Sequence, residues 1–251
     1  MTPRSIGLGV LLLGLLGSIA AASVQKDLDS AAKHEKIAFI LVTDQGATGI
    51  NEAKEMIQQA MKQVEKAVLV ELDRTDSANA DLVSRFRLTG APVPLILVAA
   101  RNGVIAGGLA AAQATADKLV AMVPSPKKAE VLQMVQSGKA VFIFACRNGM
   151  ASQSGATAAC AAACGQMKDQ CVTVQIDMDD PAEAGFLTQL KIDLTSKEPV
   201  TLVINAQGQI TGTYTGAADV ASLVQSATKK AGGCCPSTVQ GGAKSCGPPK
   251  K

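Results

Sequence analysis

Short apolar runs alternate along the chain with segments in which apolar residues recur every three or four positions. An apolar run at residues 37–42 is followed by a segment at 50–64 with apolar side chains at helical spacing, and further apolar runs occupy 68–72 and 95–98. Runs of this length are typical of buried strands, and the longer period is typical of an amphipathic helix. The pattern therefore predicts strands that alternate with helices.

The first half of the chain predicts the element order α-β-α-β-α-β-β-α. Helices are predicted at 27–36, 77–86 and 115–123, and Arg101-Asn102-Gly103 predicts a hairpin turn between the last two strands. Helical crossovers imply parallel strand pairing, and the hairpin adds one antiparallel pair. We therefore expect an α/β fold with a mixed sheet covered by helices on both faces.

The second half of the chain repeats the first at an offset of 103 to 105 residues. Three pairs of segments carry the match: KIAFILVTDQG (36–46) with KAVFIFACRNG (139–149), VLVELD (68–73) with VTVQID (172–177), and PLILVAARNG (94–103) with PVTLVINAQG (199–208). A drift of two residues is typical of a tandem duplication with small loop insertions. The prediction is two copies of one domain, at 23–123 and 127–231, with the proline-containing segment 124–128 at the boundary.

The first 22 residues are predicted to be an export signal. Arg4 precedes an apolar run at residues 6–19, and Ala20 and Ala22 have the A-x-A arrangement that signal peptidase accepts. The run is shorter than the roughly 20 residues that a membrane span needs. Cleavage near Ala22 and a periplasmic or secreted product are therefore favoured over an uncleaved membrane anchor.

Composition narrows the function classes. The chain has no Trp, one Tyr and five Phe, so no aromatic platform for stacking bases is visible and nucleic-acid binding is not expected. The formal net charge is +3, and five lysines lie after residue 219. The basic character therefore belongs to the C-terminal part of the chain.

The element order resembles the thioredoxin fold, and two prolines strengthen the resemblance. In that family the strand before the hairpin is entered through a proline whose preceding peptide bond is cis. Pro94 and Pro199 stand at the matching positions, preceded by Val93 and Glu198. The resemblance covers about residues 27–230 and implies two tandem thioredoxin-like domains with cis-proline loops at Pro94 and Pro199. An ordinary strand-entry proline is the alternative for each.

Neither copy has the C-x-x-C pair that redox-active thioredoxins carry at the start of the helix after the first central strand. The first copy contains no cysteine. In the second copy, Cys146 lies at the end of the strand, which is too early, and Cys160 and Cys164 lie inside the following helix, which is too late. Spaced i and i+4 on a helix, Cys160 and Cys164 are too far apart for a relaxed disulfide.

The four cysteines of the second copy are Cys146, Cys160, Cys164 and Cys171, and we expect them to be mainly structural. Export favours one or two disulfides among them, and buried free thiols are the alternative. Their spacings of 14, 4 and 7 do not resemble the paired spacings of a thiolate metal site. Cys146 is the candidate nucleophile, because it lies near a helix start and Arg147 beside it would lower its pKa, although no resolving thiol lies nearby.

Residues 232–251 form a Gly-, Pro- and Lys-rich tail with three cysteines. Cys234 and Cys235 are adjacent, and Cys246 supplies a third sulfur, so these three are candidate ligands for a soft metal ion such as Cu(I). One of the pair could instead close a loop with Cys246, and the odd total of seven cysteines leaves at least one thiol unpaired within the chain. A flexible terminus without a role for its cysteines is the remaining alternative. No other cofactor is expected.

We expect an exported, non-catalytic tandem thioredoxin-like protein that acts as a binding or scaffold module. The resemblance implies that the proline loop and the helix start bind an extended polypeptide partner through backbone contacts. The first alternative is a thiol-disulfide oxidoreductase or redox sensor that uses Cys146 or the tail cysteines. The second is soft-metal binding through the tail. A membrane partner is not expected unless the signal stays uncleaved.

Overall fold

The computed structural model of the protein describes residues 24–230. The predicted signal at 1–22 and the predicted tail, with Cys234, Cys235 and Cys246, lie outside these residues. Among residues 24–230, no helix combines the length and the apolar character that crossing a membrane requires.

The first half of the described chain forms one four-stranded mixed sheet with four helices. Its elements are α1 (Val24–Lys33), β1 (Ile37–Thr43), α2 (Ile50–Met61), β2 (Ala67–Asp73), α3 (Ala80–Arg85), β3 (Leu95–Ala99), β4 (Ile105–Ala110) and α4 (Ala116–Ala121). The strand order is β2-β1-β3-β4; β1 and β2 are parallel, and β3 is antiparallel to both β1 and β4. The predicted element order and the mixed sheet are confirmed.

The second half repeats this architecture. Its elements are α5 (Pro126–Gln136), β5 (Ala140–Cys146), α6 (Gln153–Met167), β6 (Cys171–Asp177), α7 (Ala184–Gln189), β7 (Val200–Ile204), β8 (Ile210–Thr215) and α8 (Val220–Thr228). The sheet has the order β6-β5-β7-β8 with the same pairing directions. Pro126 occupies the first turn of α5, where a backbone N–H has no helical partner. The segment at 124–128 therefore starts the second domain's first helix.

The central strands β1 and β5 are buried on both faces, which explains their unbroken apolar runs. In the first domain, Ile37, Phe39 and Leu41 pack with α2 and α4, whereas the alternate residues Ala38 and Ile40 pack with α1 and α3. The second domain has the same arrangement, with β5 between a cluster on the α5 and α7 side and a cluster on the α6 and α8 side. Each sheet therefore divides its domain into two apolar layers.

The two domains contact each other through the β3–β4 hairpin and α5. The side-chain amide of Asn102 donates to the carbonyl of Ala129 at 2.9 Å, and that of Gln136 donates to the carbonyl of Ile105 at 2.9 Å. Ala100 and Val104 of the hairpin pack with Ala129 of α5 in a small apolar cluster. The hairpin that the Asn-Gly turn predicts is therefore also an element of the domain interface.

A buried carboxylate fixes the start of α5 within the second domain. Glu183 is 1% exposed; its Oε2 accepts from the Ser125 hydroxyl at 2.5 Å and its Oε1 accepts from the Lys127 N–H at 2.9 Å. The first-turn N–H groups of a helix lack helical partners and carry partial positive charge. Glu183 therefore provides a hydrogen-bond acceptor for a first-turn N–H of α5, the helix that contacts the first domain.

Candidate functional site

The candidate site of each domain lies at the end of the sheet where the two parallel strands finish and where the loop before the proline leads into the third strand. We call this end of each sheet its proline edge. The Val93–Pro94 peptide bond is cis, as the resemblance implies. It is the single cis bond among residues 24–230, so the expectation of a cis bond before Pro199 is wrong. The two edges are therefore not equivalent.

An arginine holds the loop before Pro94 in the first domain. Arg74 follows β2 directly, and its Nη2 donates to Oδ2 of Asp44, which follows β1, at 2.7 Å. Its Nη1 donates to the carbonyls of Ala91 at 2.6 Å and Leu88 at 3.3 Å. Both charged side chains are about four-fifths buried, so the guanidinium fixes the loop to the ends of both parallel strands.

The second domain has the same arrangement with the charges exchanged between the strand ends. Arg147 follows β5, and its Nε donates to Oδ1 of Asp179, near the end of β6, at 2.6 Å. Its Nη1 and Nη2 donate to the carbonyls of Ser196 and Leu194, in the loop before Pro199. Asp44 and Arg147 stand at the same place in the repeat, 103 residues apart. That opposite pair of charges, read across the repeat, is the sequence signal that would have found this arrangement.

The residues before the two prolines differ in whether their backbone N–H and carbonyl are hydrogen-bonded. In the second domain, the Ser196 hydroxyl donates to the carbonyl of Glu198 at 2.7 Å and accepts from its N–H at 3.2 Å, so both groups are occupied. In the first domain, Val93 is half-buried and its N–H and carbonyl have no hydrogen-bond partner among residues 24–230. The first domain therefore offers a free backbone donor and acceptor beside a cis proline.

Cys146 lies at the predicted strand end, but its surroundings do not favour a thiolate. The side chain is 2% exposed, and its Sγ accepts from the side-chain amides of Gln153 at 3.6 Å and Gln175 at 3.5 Å. Burial is the main cause that raises the pKa of Cys146, with the Asp177 carboxylate as a second cause, while the two amides act in the opposite direction. The guanidinium of Arg147 is bound elsewhere, so the expectation that it lowers this pKa is wrong.

Cys164 and Cys171 form a disulfide that joins the end of α6 to the start of β6. Cys160 is buried and has no disulfide partner among residues 24–230; its Sγ lies 3.7 Å from the Thr201 hydroxyl, and burial raises its pKa. As expected from the helix spacing, Cys160 and Cys164 are not paired with each other.

The disulfide lies at the start of the parallel strands, which is the end of the sheet opposite to Pro199. In the parallel ladder, Cys171 is level with Ala140 and Asp177 is level with Cys146. Six residues of strand, or about 20 Å, therefore separate the disulfide from the proline edge. A bond at that distance braces the helix against the sheet and does not reach a partner at the proline loop.

Among residues 24–230, no group of three or more His, Cys, Asp or Glu side chains is arranged to hold a metal ion. The predicted soft-metal ligands Cys234, Cys235 and Cys246 lie outside these residues, and their role stays a prediction.

Comparisons with known proteins concern the fold. No protein-family model and no curated protein match the sequence. Similar solved structures include the first two thioredoxin domains of Eps1p from Naumovozyma dairenensis, with 10% identity, coverage of 82% of this chain and 96% of that chain, and a TM-score of 0.31. Human ERp44 has 10% identity, coverage of 88% and 57%, and a TM-score of 0.36. The N-terminal domain of alkylhydroperoxide reductase AhpF from Enterococcus faecalis has 12% identity, coverage of 82% and 98%, and a TM-score of 0.27.

The topology of the two sheets defines the fold. Both halves share one strand order, one set of pairing directions and a proline at the entry to the third strand. The protein is a tandem of two thioredoxin-like domains.

Proposed function

We propose that the protein is an exported, non-catalytic thioredoxin-like module that binds an extended polypeptide at the Val93–Pro94 edge of its first domain. The observation that carries the proposal is that the N–H and the carbonyl of Val93 have no hydrogen-bond partner in the part of the chain that the structure describes. An extended peptide supplies one carbonyl and one N–H to such a pair, as in the addition of a strand to a sheet. Side chains that alternate along the peptide would then face the protein and the solvent in turn.

The salt bridge of Arg74 supports binding at this edge because it orders the loop in advance. Its guanidinium joins Asp44 to the carbonyls of Leu88 and Ala91, so the backbone before Pro94 is held before a partner arrives. A loop that is already ordered loses less conformational entropy on binding. In the second domain the corresponding backbone groups are used by Ser196, so that edge offers a peptide no equivalent pair.

The sulfur chemistry supports binding in preference to redox catalysis. The first domain contains no cysteine, and the Cys146 thiol near the second proline is buried with a raised pKa. A nucleophilic cysteine needs an exposed sulfur and a depressed pKa. The Cys164–Cys171 disulfide supports export, because structural disulfides persist in oxidising compartments.

The proposal is tested by nuclear magnetic resonance of the ¹⁵N-labelled protein with reduced, carboxymethylated α-lactalbumin, which stays unfolded and has no free thiol. We expect saturable shifts of the Val93 amide signal and no comparable shift at Glu198. Arg74→Gln should weaken binding several-fold because the loop is released, and Arg147→Gln, the matched change in the second domain, should leave binding unchanged. Shifts centred on Glu198, or equal effects of the two variants, would contradict the proposal.

Reduction of insulin by dithiothreitol, followed by turbidity, separates this function from the oxidoreductase alternative. We expect the protein to add nothing to the rate of the reagent alone, and Cys146→Ser to behave as the parent does. Acceleration by the parent that Cys146→Ser removes would establish the oxidoreductase instead.

A further inference from the structure

A cavity of about 840 Å³ lies between the two domains, on the α1 and α3 side of the first sheet. Ala38, Leu97 and Ala99 line it from β1 and β3, Leu28 lines it from α1, and Val135 and Gln207 line it from the second domain. This volume lies within the range of about 300–1,000 Å³ that is typical of sites for small organic ligands. The cavity is therefore large enough for a ligand and is separate from the Val93–Pro94 edge.

The repeat shows why the cavity exists in the first domain. Ala38 and Ala99 are cross-strand partners in the first sheet, and the residues at the same places in the second sheet are Val141 and Ile204. Both larger side chains are buried in the second domain's core. Replacement of a valine and isoleucine pair by two alanines removes five methyl or methylene groups, and a shortage of side-chain volume leaves space that the surroundings only partly fill.

Basic side chains outnumber acidic ones in the cavity lining. Lys36, Arg85 and Arg87 line it, whereas Asp29 is the single acidic lining residue among residues 24–230. None of the three bases belongs to an ion pair among residues 24–230. Arg85 donates from Nη2 to the side-chain carbonyl of Gln25 at 3.0 Å, which leaves other guanidinium N–H groups for an anion. The charge of the lining therefore favours a negatively charged ligand.

We propose that this cavity binds an anionic amphiphile, namely a hydrocarbon chain that ends in a carboxylate. The carboxylate pairs with Arg85 and Arg87 at the rim, and the hydrocarbon packs on Leu97, Ala99 and Leu28. Arginine recognises carboxylates by paired N–H donors, and removal of the chain from water provides the apolar part of the affinity.

The floor of the cavity favours a hydrocarbon over an acidic peptide. It is built from β1 and β3, and both are interior strands with a paired neighbour on each side. Their backbone groups are used within the sheet, so a peptide would find no ladder of free N–H and carbonyl groups there. A hydrocarbon needs none, because it presents no backbone groups of its own.

The probe for the test is 11-(dansylamino)undecanoic acid, whose fluorescence rises in an apolar site. We expect a saturable increase at one probe per chain and displacement by oleate. The double change Arg85→Gln with Arg87→Gln should raise the probe's Kd at least tenfold, because the carboxylate loses both of its charged partners. Both residues are exposed, so the change should leave the core undisturbed. Arg101→Gln is the matched control; this exposed arginine pairs with Glu65, does not line the cavity, and should leave the Kd unchanged.

A second variant fills the cavity with the sister domain's own residue. Ala99→Ile should abolish saturable binding, with the folded state checked by circular dichroism; if that variant does not fold, the arginine variants decide. The proposal is overturned if the parent shows no saturable increase, if the double arginine variant binds as tightly as the parent, or if oleyl alcohol displaces the probe as well as oleate. Displacement by poly-glutamate in place of oleate would assign the cavity to an acidic peptide.

Discussion

Reduction of the Cys164–Cys171 disulfide should destabilise the second domain by a predictable amount. The bond closes a loop between residues seven positions apart. For a loop of this size, the loss of closure entropy in the unfolded chain corresponds to about 2.5 kcal/mol at 25 °C. The first domain has no cysteine and should keep its stability.

The single tyrosine makes the measurement specific to the second domain. Tyr214 lies on β8, and its hydroxyl lies 2.7 Å from the Ser226 hydroxyl and donates to the carbonyl of Ser222 at 3.0 Å, so its environment depends on the packing of α8 on the sheet. Urea unfolding followed by tyrosine fluorescence should therefore report the second domain, while far-ultraviolet circular dichroism reports both. We expect dithiothreitol to lower the urea midpoint seen by fluorescence.

The control is the double variant Cys164→Ala with Cys171→Ala, in which dithiothreitol should have no further effect. Because the tail cysteines Cys234, Cys235 and Cys246 are present in both proteins, any effect of their reduction appears in both and can be subtracted. A fall of less than about 1 kcal/mol in the parent, or an equal fall in the double variant, would refute the assignment of this stabilisation to the Cys164–Cys171 loop.

Three further results are expected. Glu183→Ala should lower the free energy of unfolding of the second domain by about 2–4 kcal/mol, measured by tyrosine fluorescence, because the half-buried Ser125 hydroxyl and the Lys127 N–H lose their shared acceptor. A loss below about 0.5 kcal/mol would show that water replaces the carboxylate. Arg74→Gln should lower the free energy of unfolding by about 2 kcal/mol and Arg147→Gln by about 1 kcal/mol, as measured by thermal unfolding followed by circular dichroism. The difference is expected because Asp44, the partner of Arg74, is largely buried, whereas Asp179, the partner of Arg147, is 65% exposed. A larger loss for Arg147→Gln than for Arg74→Gln would contradict this reasoning. The raised pKa of Cys146 lowers its thiolate fraction, so alkylation of the folded protein by iodoacetamide at pH 8 should be far slower than alkylation in urea, as quantified by peptide mass spectrometry. The same shift stabilises the folded state below the ordinary thiol pKa of about 8.5, and this stabilisation should decline as the pH rises above that value. Equal alkylation rates in the folded and unfolded states would refute the raised pKa.

The two prolines show which features of the candidate site can be predicted from the sequence. Pro94 and Pro199 both enter the third strand of their sheets, as the repeat predicts, because strand position is encoded by local apolar runs and turns. The isomer of the preceding bond differs between them, because tertiary packing selects the isomer of an X-Pro bond in an ordered loop. The direction of Arg147 has the same origin: a neighbour in sequence, Cys146, suggested one contact, and a carboxylate 32 residues later provides another.

The sequence by itself determined the two-domain repeat, the element order and the absence of a C-x-x-C pair, because each of these follows from residue order and short-range periodicity. For residues 24–230, the tertiary structure decided which of the second domain's four cysteines pair, which proline edge keeps free backbone groups and where the cavity lies. These features depend on which side chains meet across strands and between domains. The Ala38 and Ala99 pair illustrates the difference, since two alanines far apart in sequence become one cavity floor only when β1 and β3 bring them into register.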